Sequence, residues 1–313
     1  MTSPLFVGPV LVIGSSGIDL VGRASQPIQH KTSNPAYVRM SFGGVARNVA
    51  ENLTRLGMEV FLITAVGDDG PGHRLLEQAS QARINIDHSI IVPDGETGAY
   101  LAVLDERGNL HLGLDDMRVT SAITSAHLRQ KRDLFKQAQA LFVDANLTPK
   151  TLATAIQLAK QFNVPIAADP TSLSLAPVLT EHLSDIWLIT PNEAEAGAIC
   201  PHPVPHGSPS DAIAAARHLV SEGVEIVIVT MAEFGLGYAT SSESGHLRAI
   251  QTEILDPTGA GDALTAAVIF ALLNEIPVDE SVRLGLSAAA LTLRTAGTVV
   301  PNLSLELLYD QLN

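Results

Sequence analysis

The run Ala140-Leu141-Phe142-Val143-Asp144, then a helical pattern from Pro149 to Phe162, then Pro165-Ile166-Ala167-Ala168-Asp169, decides the fold. Each apolar run is too short for a helix and has no polar alternation. That is the mark of a strand buried on both faces. The rhythm continues with a strand at Ile186 to Thr190, a helix at Asp211 to Glu222 and a strand at Ile226 to Thr230. Upstream, Val10 to Gly14 and Glu59 to Val66 read as further strands. Strands alternating with helices imply an α/β fold whose mostly parallel central sheet is covered by helices on both sides. Two strong helices, about Ala260 to Asn274 and Asp279 to Arg294, close the chain.

Two stretches break the rhythm. Leu20 to Met40 is polar, and Ile90 to Leu114 alternates, with turn signals at Asp94-Gly95 and Arg107-Gly108-Asn109. Segments 20–40 and 90–114 therefore read as a small β-strand lid inserted into one domain spanning residues 1–313. Pro201 to Pro209, rich in proline and histidine, reads as a solvent loop, with a metal tract as the alternative.

Composition narrows the function. The 313 residues carry 19 basic and 33 acidic side chains, a formal charge of −14. That balance argues against an unaided binder of nucleic acid or anionic membrane. A single cysteine, Cys200, excludes an internal disulfide framework and multi-cysteine zinc sites, and fits a reducing cytoplasm. No basic residue precedes the apolar stretch Leu5 to Ile13, unlike a signal peptide. The run Ala263 to Leu273 is about half of the ~20 residues that span a bilayer. A soluble cytoplasmic protein is expected.

Asp256-Pro257-Thr258-Gly259-Ala260-Gly261-Asp262 is the sharpest chemical motif. Gly259 to Gly261 open an apolar helix, where free amides and the helix dipole favour an anion. Thr258 is placed to cap that helix. Asp262, in its first turn, is placed to take a proton from an attacking hydroxyl, with a plain helix-start acid as the alternative. The dipole would favour its ionised form and make it a weak base. The chain has no Gly-Lys pair, hence no Walker A loop, and Gly259-Ala260-Gly261 lacks the third glycine of a dinucleotide fingerprint. In Gly43 to Gly57, Val45, Val49, Leu53 and Leu56 form an apolar helical face. Gly43 and Gly44 open that helix, and Asn48 has both a donor and an acceptor for a polyol, or simply faces solvent. In Thr190 to Glu195, Asn192 and Glu195 either make a capping box or set a carboxylate beside hydrated Mg²⁺. Thr230 to Gly235 ends a strand in a turn.

These four segments, in this order, resemble the signatures of the ribokinase-like (PfkB-type) carbohydrate kinase superfamily. The resemblance runs from about Val10 to Pro301. Within it, Thr32-Ser33-Asn34-Pro35, Arg47 to Leu53, Tyr100 to Asp105, Asp144 to Leu147 and Ala168-Asp169-Pro170 are similar to the pseudouridine kinases. Pro257, Leu264 and Ala232 depart from the usual pattern; Ala232 stands where glycine is common beside the nucleotide.

The resemblance implies a three-layer α/β/α fold and phosphoryl transfer from ATP, with Mg²⁺, to a primary hydroxyl of a nucleoside or sugar. It assigns Asp262 as catalytic base and Gly259, Ala260 and Gly261 as the anion hole. Asp19, Gly43, Gly44 and Asn48 would hold the ribose, and Asn192, Thr230, Gly235 and Thr258 the nucleotide. Glu195 would sit near Mg²⁺, and Asp256 near a monovalent-cation site, so K⁺ activation is an expectation. The lid often doubles as a homodimer interface. Thr32, Asn34, Asp144 and Asn146 are the candidates for the base of a nucleoside, from their lid or strand-end placement. The competing readings are a kinase for another sugar or nucleoside, an inactive nucleotide-binding regulator, and a dinucleotide-dependent oxidoreductase.

Overall fold

The computed structural model describes residues 8–108 and 110–312. Asn109, part of one expected turn, and the first residues of the apolar start lie outside that range. Eight strands form the main sheet: β1 (Val10–Ile13), β4 (Val60–Ile63), β9 (Ala140–Asp144), β10 (Ile166–Asp169), β11 (Leu188–Ile189), β12 (Ile226–Thr230), β13 (Leu236–Ala239) and β14 (Ser244–Leu247). Their order is β14-β13-β12-β11-β10-β9-β1-β4. From β12 to β4 all pairs are parallel, whereas β13 and β14 add an antiparallel edge.

Alternate residues of these strands feed two separate cores. Val10, Val12, Phe142 and Ile228 face helices α1 (Val45–Arg55), α8 (Ala260–Leu273) and α9 (Val278–Leu293), with α10 (Leu305–Asp310) at the margin. Leu11, Ile13, Leu141, Val143 and Val227 face the other layer. That layer holds α3 (Ser125–Gln130), α4 (Arg132–Gln137), α5 (Pro149–Gln161), α6 (Glu193–Ile199) and α7 (Pro209–Ser221). Helix α8 is buried almost all round, which explains its unbroken apolar sequence.

The run Glu59 to Val66 is two strands rather than one. It breaks at Thr64, and β5 (Ala65–Gly67) leaves the main sheet to pair in parallel with β6 (Ile90–Val92). The start of the alternating 90–114 stretch therefore belongs to this two-stranded sheet, beside which α2 (Gly70–Gln81) packs. A second, four-stranded sheet comprises β2 (Gly17–Ala24), β3 (Ala36–Gly43), β7 (Gly98–Leu104) and β8 (Leu110–Asp116), ordered β3-β2-β7-β8. It begins three residues before Leu20, and its long strands run through sequence that composition alone marks as polar. Period-two geometry gives it unlike faces. Asp19, Arg39, Tyr100 and Asp115 lie on the face toward the main domain, while Leu20, Met40, Leu101 and Leu114 lie on the outer face.

No described helix is long and apolar enough to cross a membrane.

Candidate active site

The site lies where the C-terminal ends of the parallel strands meet the inner face of the four-stranded sheet, as expected for open α/β folds. Helix α8 starts there. Its N-cap is Gly259, at φ +81°, and no side chain caps it. Thr258 therefore does not cap the helix as expected: a left-handed residue intervenes, and the Thr258 N–H donates to Asp256 Oδ1 at 3.0 Å. A Cβ on Gly259 would stand 2.3 Å from the Thr298 carbonyl oxygen. Glycine is thus required by both backbone conformation and space. Gly44, the N-cap of α1 at φ +95°, is equally constrained, since a Cβ would approach Ser16 Cα to 2.5 Å.

The loop from Asp256 to Asp262 borders two cavities. Thr258 and Asp262 line a cleft of about 220 Å³ together with Asp19, Asn48, Tyr100 and Asn146. Pro257, Ala260 and Gly261 line a second cavity of about 460 Å³, together with Asn192, Thr230 and Gly235. Leu264, Leu286, Ala289 and Leu293 add apolar lining to this larger cavity. A Cβ at Gly261 would meet nothing within 4 Å, so the larger cavity has free space beside this residue.

Asn48 does not face solvent. It is buried, and its Nδ2 donates to Asp262 Oδ2 at 2.7 Å. Its Oδ1 accepts from Arg47 Nη1 at 2.9 Å. Arg47 is buried too, paired with Glu51 and bonded to Gln78 at 2.8 Å and to Thr298 at 3.2 Å. A chain Glu51–Arg47–Asn48–Asp262 thus fixes which way the asparagine amide points.

Burial sets the acid strengths. Asp262 is pushed up to about 7, chiefly by desolvation; the Asn48 hydrogen bond and Arg47 oppose this, and Asp19 and Asp144 add to it. The helix-dipole expectation of a weak base is therefore corrected: desolvation outweighs the dipole. Asp19 rises to about 6, again mainly by burial, with Arg47 opposing and Asp256 reinforcing. Asp169 is held well above the usual carboxylate range by burial, then by Glu195 and Asp262. Burial raises Glu195 as well.

Several expected site residues lie elsewhere. Thr32, exposed, and Asn34, half-buried, sit at the tip between β2 and β3 and do not line the cleft. The Asn34 amide is spent closing that loop, accepting from Gln29 N at 2.8 Å and donating to the Gln29 and Thr32 carbonyls at 2.9 and 3.1 Å. Asp144 lies beneath the cleft, fully buried. It accepts from Ser15 N at 2.7 Å, Ser15 Oγ at 2.8 Å and Ala46 N at 3.2 Å, so it braces the β1–α1 junction. Gly43 backs onto Asp19 rather than facing the cleft, since a Cβ there would stand 2.1 Å from its carboxylate. Asn192 and Glu195 form the capping box of α6, with bonds of 2.8 and 2.9 Å. Thr258 faces the cleft with Asp262, not the larger cavity. Asp256 is ion-paired with Arg39. Ala232 adopts φ +46°, a left-handed conformation that favours glycine. In the Pro201–Pro209 segment, His206 bonds Glu193 at 2.6 Å and packs edge-on against Phe234.

Sequence reasoning missed Arg47, Arg39, Tyr100, Asp115 and Asp169 as neighbours of the site. For Arg47 a signal existed: Arg47 and Glu51 are four apart on one helix, the spacing of an ion pair.

A strand-end cleft, a glycine-opened helix start and a half-buried acid in its first turn fit a small-molecule phosphotransferase. Comparison agrees: the pfkB family of carbohydrate kinases matches residues 9–304, and the chain belongs to that family. It is thus a phosphotransferase acting on an alcohol group, with a ribokinase-like α/β fold. The chain is 32% identical to the pseudouridine kinase of Escherichia coli (strain K12) over 297 residues, covering 95% of this chain and 94% of that protein. It is 29% identical to a guanosine-inosine kinase of Exiguobacterium acetylicum, over 90% and 93% of the two chains. The structure of Arabidopsis thaliana ribokinase complexed with ribose and ATP superposes with a TM-score of 0.85 at 19% identity, covering 98% of this chain and 99% of that one.

Proposed function

We propose that the protein transfers the γ-phosphoryl group of ATP to the primary 5′-hydroxyl of a ribose-bearing nucleoside, pseudouridine being the favoured acceptor. The observation that carries this reading is the position of Asp262. It opens on the smaller cleft, among Asp19, Asn48 and Asn146, while Ala260 and Gly261, two and one residues earlier, border the larger cavity. The first suits a sugar and the second a nucleotide. Pseudouridine is favoured over other acceptors by the Escherichia coli relative, and a purine nucleoside is the second reading, favoured by the Exiguobacterium relative.

In this reading Asp19, Asn48, Asn146 and the Gly44 backbone hold the ribose, with Tyr100 on the lid side. Thr230, Gly235 and Asn192 line the nucleotide cavity. The hydroxyl oxygen forms a bond to the γ-phosphorus as the bond to the β–γ bridging oxygen breaks. The hydroxyl proton passes to the Asp262 carboxylate, and ADP leaves. The amides of Gly259, Ala260 and Gly261 offset charge on the migrating group, since such transfer is mostly positioning and electrostatics. Mg²⁺ bound on the phosphates would supply further neutralisation, with Glu195 and Asp169 as the carboxylates near that end. An acid poised at about 7 can both accept and release the proton near neutral pH.

The outer face of the lid, with Val38, Met40, Leu101, Leu112 and Leu114 exposed, suits a second copy of the chain. A homodimer through this face is part of the proposal, readable by sedimentation.

ATP consumption with pseudouridine, uridine, adenosine, inosine and ribose tests the acceptor, and Asp262→Asn tests the mechanism. The variant should lose about 10²–10⁴-fold in kcat while remaining folded. ATP binding without turnover on every acceptor would instead favour an inactive regulator. Near-normal turnover by Asp262→Asn would remove the catalytic assignment.

A further inference from the structure

Asp256 is 1% exposed, on the loop that leads into the anion corner. The loop is pinned to the end of α9 by hydrogen bonds from the Leu255 and Asp256 N–H groups to the Leu293 carbonyl, at 2.8 and 3.2 Å. Both carboxylate oxygens are engaged. Oδ1 accepts the Thr258 N–H, and Oδ2 pairs with the Arg39 guanidinium. A carboxylate buried this deeply requires a compensating cation. A monovalent ion at this carboxylate would have to share Oδ2 with the Arg39 guanidinium, a like charge, so the residues present do not fit that ion. A side chain of the protein already supplies the charge.

The charge comes from the lid. Arg39 lies on β3 opposite Val21, on the inner face that it shares with Asp19. Its side chain crosses 217 positions of sequence to reach Asp256. Arginine suits the task because its charge is permanent, and the contact is made through Nη2 to Oδ2. We propose that Arg39 is a positioning residue that substitutes for a bound potassium ion at Asp256, so that the lid itself holds the anion-binding loop in shape. This rests on the kinase reading for its catalytic consequence, but the ion substitution stands on the geometry alone.

The test compares wild type, Arg39→Met and Arg39→Lys in potassium chloride and in tetramethylammonium chloride at equal ionic strength. Two quantities are read: Tm, and kcat on whichever acceptor the screen identifies. Wild type should show the same Tm and kcat in both salts, within about twofold for kcat. Arg39→Met should lose at least about tenfold in kcat in tetramethylammonium. Potassium or free guanidinium should restore much of that loss in kcat, and potassium should raise the variant's Tm but not that of wild type. Arg39→Lys should retain charge compensation and lie between the two.

Four results would overturn the proposal: a wild type that requires potassium, an Arg39→Met variant equal to wild type in tetramethylammonium, a loss that no cation restores, or a Tm of that variant indifferent to potassium. Should Arg39→Met fail to fold, Arg39→Met combined with Asp256→Asn replaces it. Recovery of folding there supports the pairing, and continued failure counts against it. If no acceptor is turned over at all, the kinase reading fails, and the potassium dependence of Tm still decides the role of Arg39.

Discussion

Replacing Asn48 with alanine should displace the pH dependence of turnover, and the structure gives the size of the shift. Asn48 Nδ2 donates to Asp262 Oδ2 at 2.7 Å inside the protein, and this bond is the strongest influence pulling the acid down from the value burial would impose. A hydrogen bond to a charged partner contributes about 1.5–3 kcal/mol, which at about 1.4 kcal/mol per pH unit is roughly one to two units. Proton acceptance needs the ionised carboxylate, so kcat/KM falls about tenfold per unit below the pKa. Wild type, with Asp262 at about 7, is then some three-quarters ionised at pH 7.5. In Asn48→Ala the acidic limb should move to about 8–9, leaving roughly a tenth ionised at pH 7.5. The assay is kcat/KM for the acceptor between pH 5.5 and 9.5 at fixed, saturating ATP. Any contact of Asn48 with the sugar lowers the plateau without moving the midpoint, so the two roles separate. An acidic limb at the same pH in both proteins would refute the electrostatic argument.

Two other outcomes follow from the same geometry. Gly259→Ala puts a Cβ 2.3 Å from the Thr298 carbonyl at φ +81°, so it should lower Tm and cost about 10²-fold in kcat, the scale of losing an oxyanion donor, with acceptor binding by calorimetry little changed; wild-type kcat in this variant would contradict the anion-hole assignment. Asp262→Asn should be more heat-stable than wild type at pH 8, because a carboxylate raised from 3.8 to about 7 gives stability that is full below its unfolded pKa and lost as pH climbs through 7. Its advantage in Tm should shrink as pH falls toward 5, and an advantage that grew on acidification would reverse the sign of the linkage.

What could be read from the chain, and what could not, divides along a physical line. The parallel strands were legible because a strand buried on both faces must be apolar throughout, as Ala140 to Val143 are. The anion corner was legible because only glycine tolerates the position Gly259 holds, and that need is written in one residue. The strength of Asp262 was not legible. The dipole of α8 acts locally and can be inferred from position, but the burial that raises this acid, the Asn48 hydrogen bond that opposes it and the charge of Asp19 that adds to it come together only through tertiary packing. The same holds for Arg39, whose partner lies 217 residues away. Thr32 and Asn34 mislead in the opposite sense. Polar residues in a lid can equally serve the loop that carries them, and here the Asn34 amide closes its own turn.

The lid's sequence therefore has to satisfy two demands at once. Alternation along β2, β3, β7 and β8 sends Asp19, Arg39, Tyr100 and Asp115 toward the main domain and Leu20, Met40, Leu101 and Leu114 away from it. A one-residue slip in register would exchange the two sets, putting leucines where Asp19, Tyr100 and Asp115 line the cleft and charges onto an apolar outer face. Three of the inner residues, Asp19, Tyr100 and Asp115, line the cleft, and the fourth, Arg39, reaches the loop behind Asp262. Register in this small sheet is thus tied to the geometry of the reacting corner. A substitution that loosens the lid's pairing should reach the anion loop through Arg39 even when it touches neither cavity.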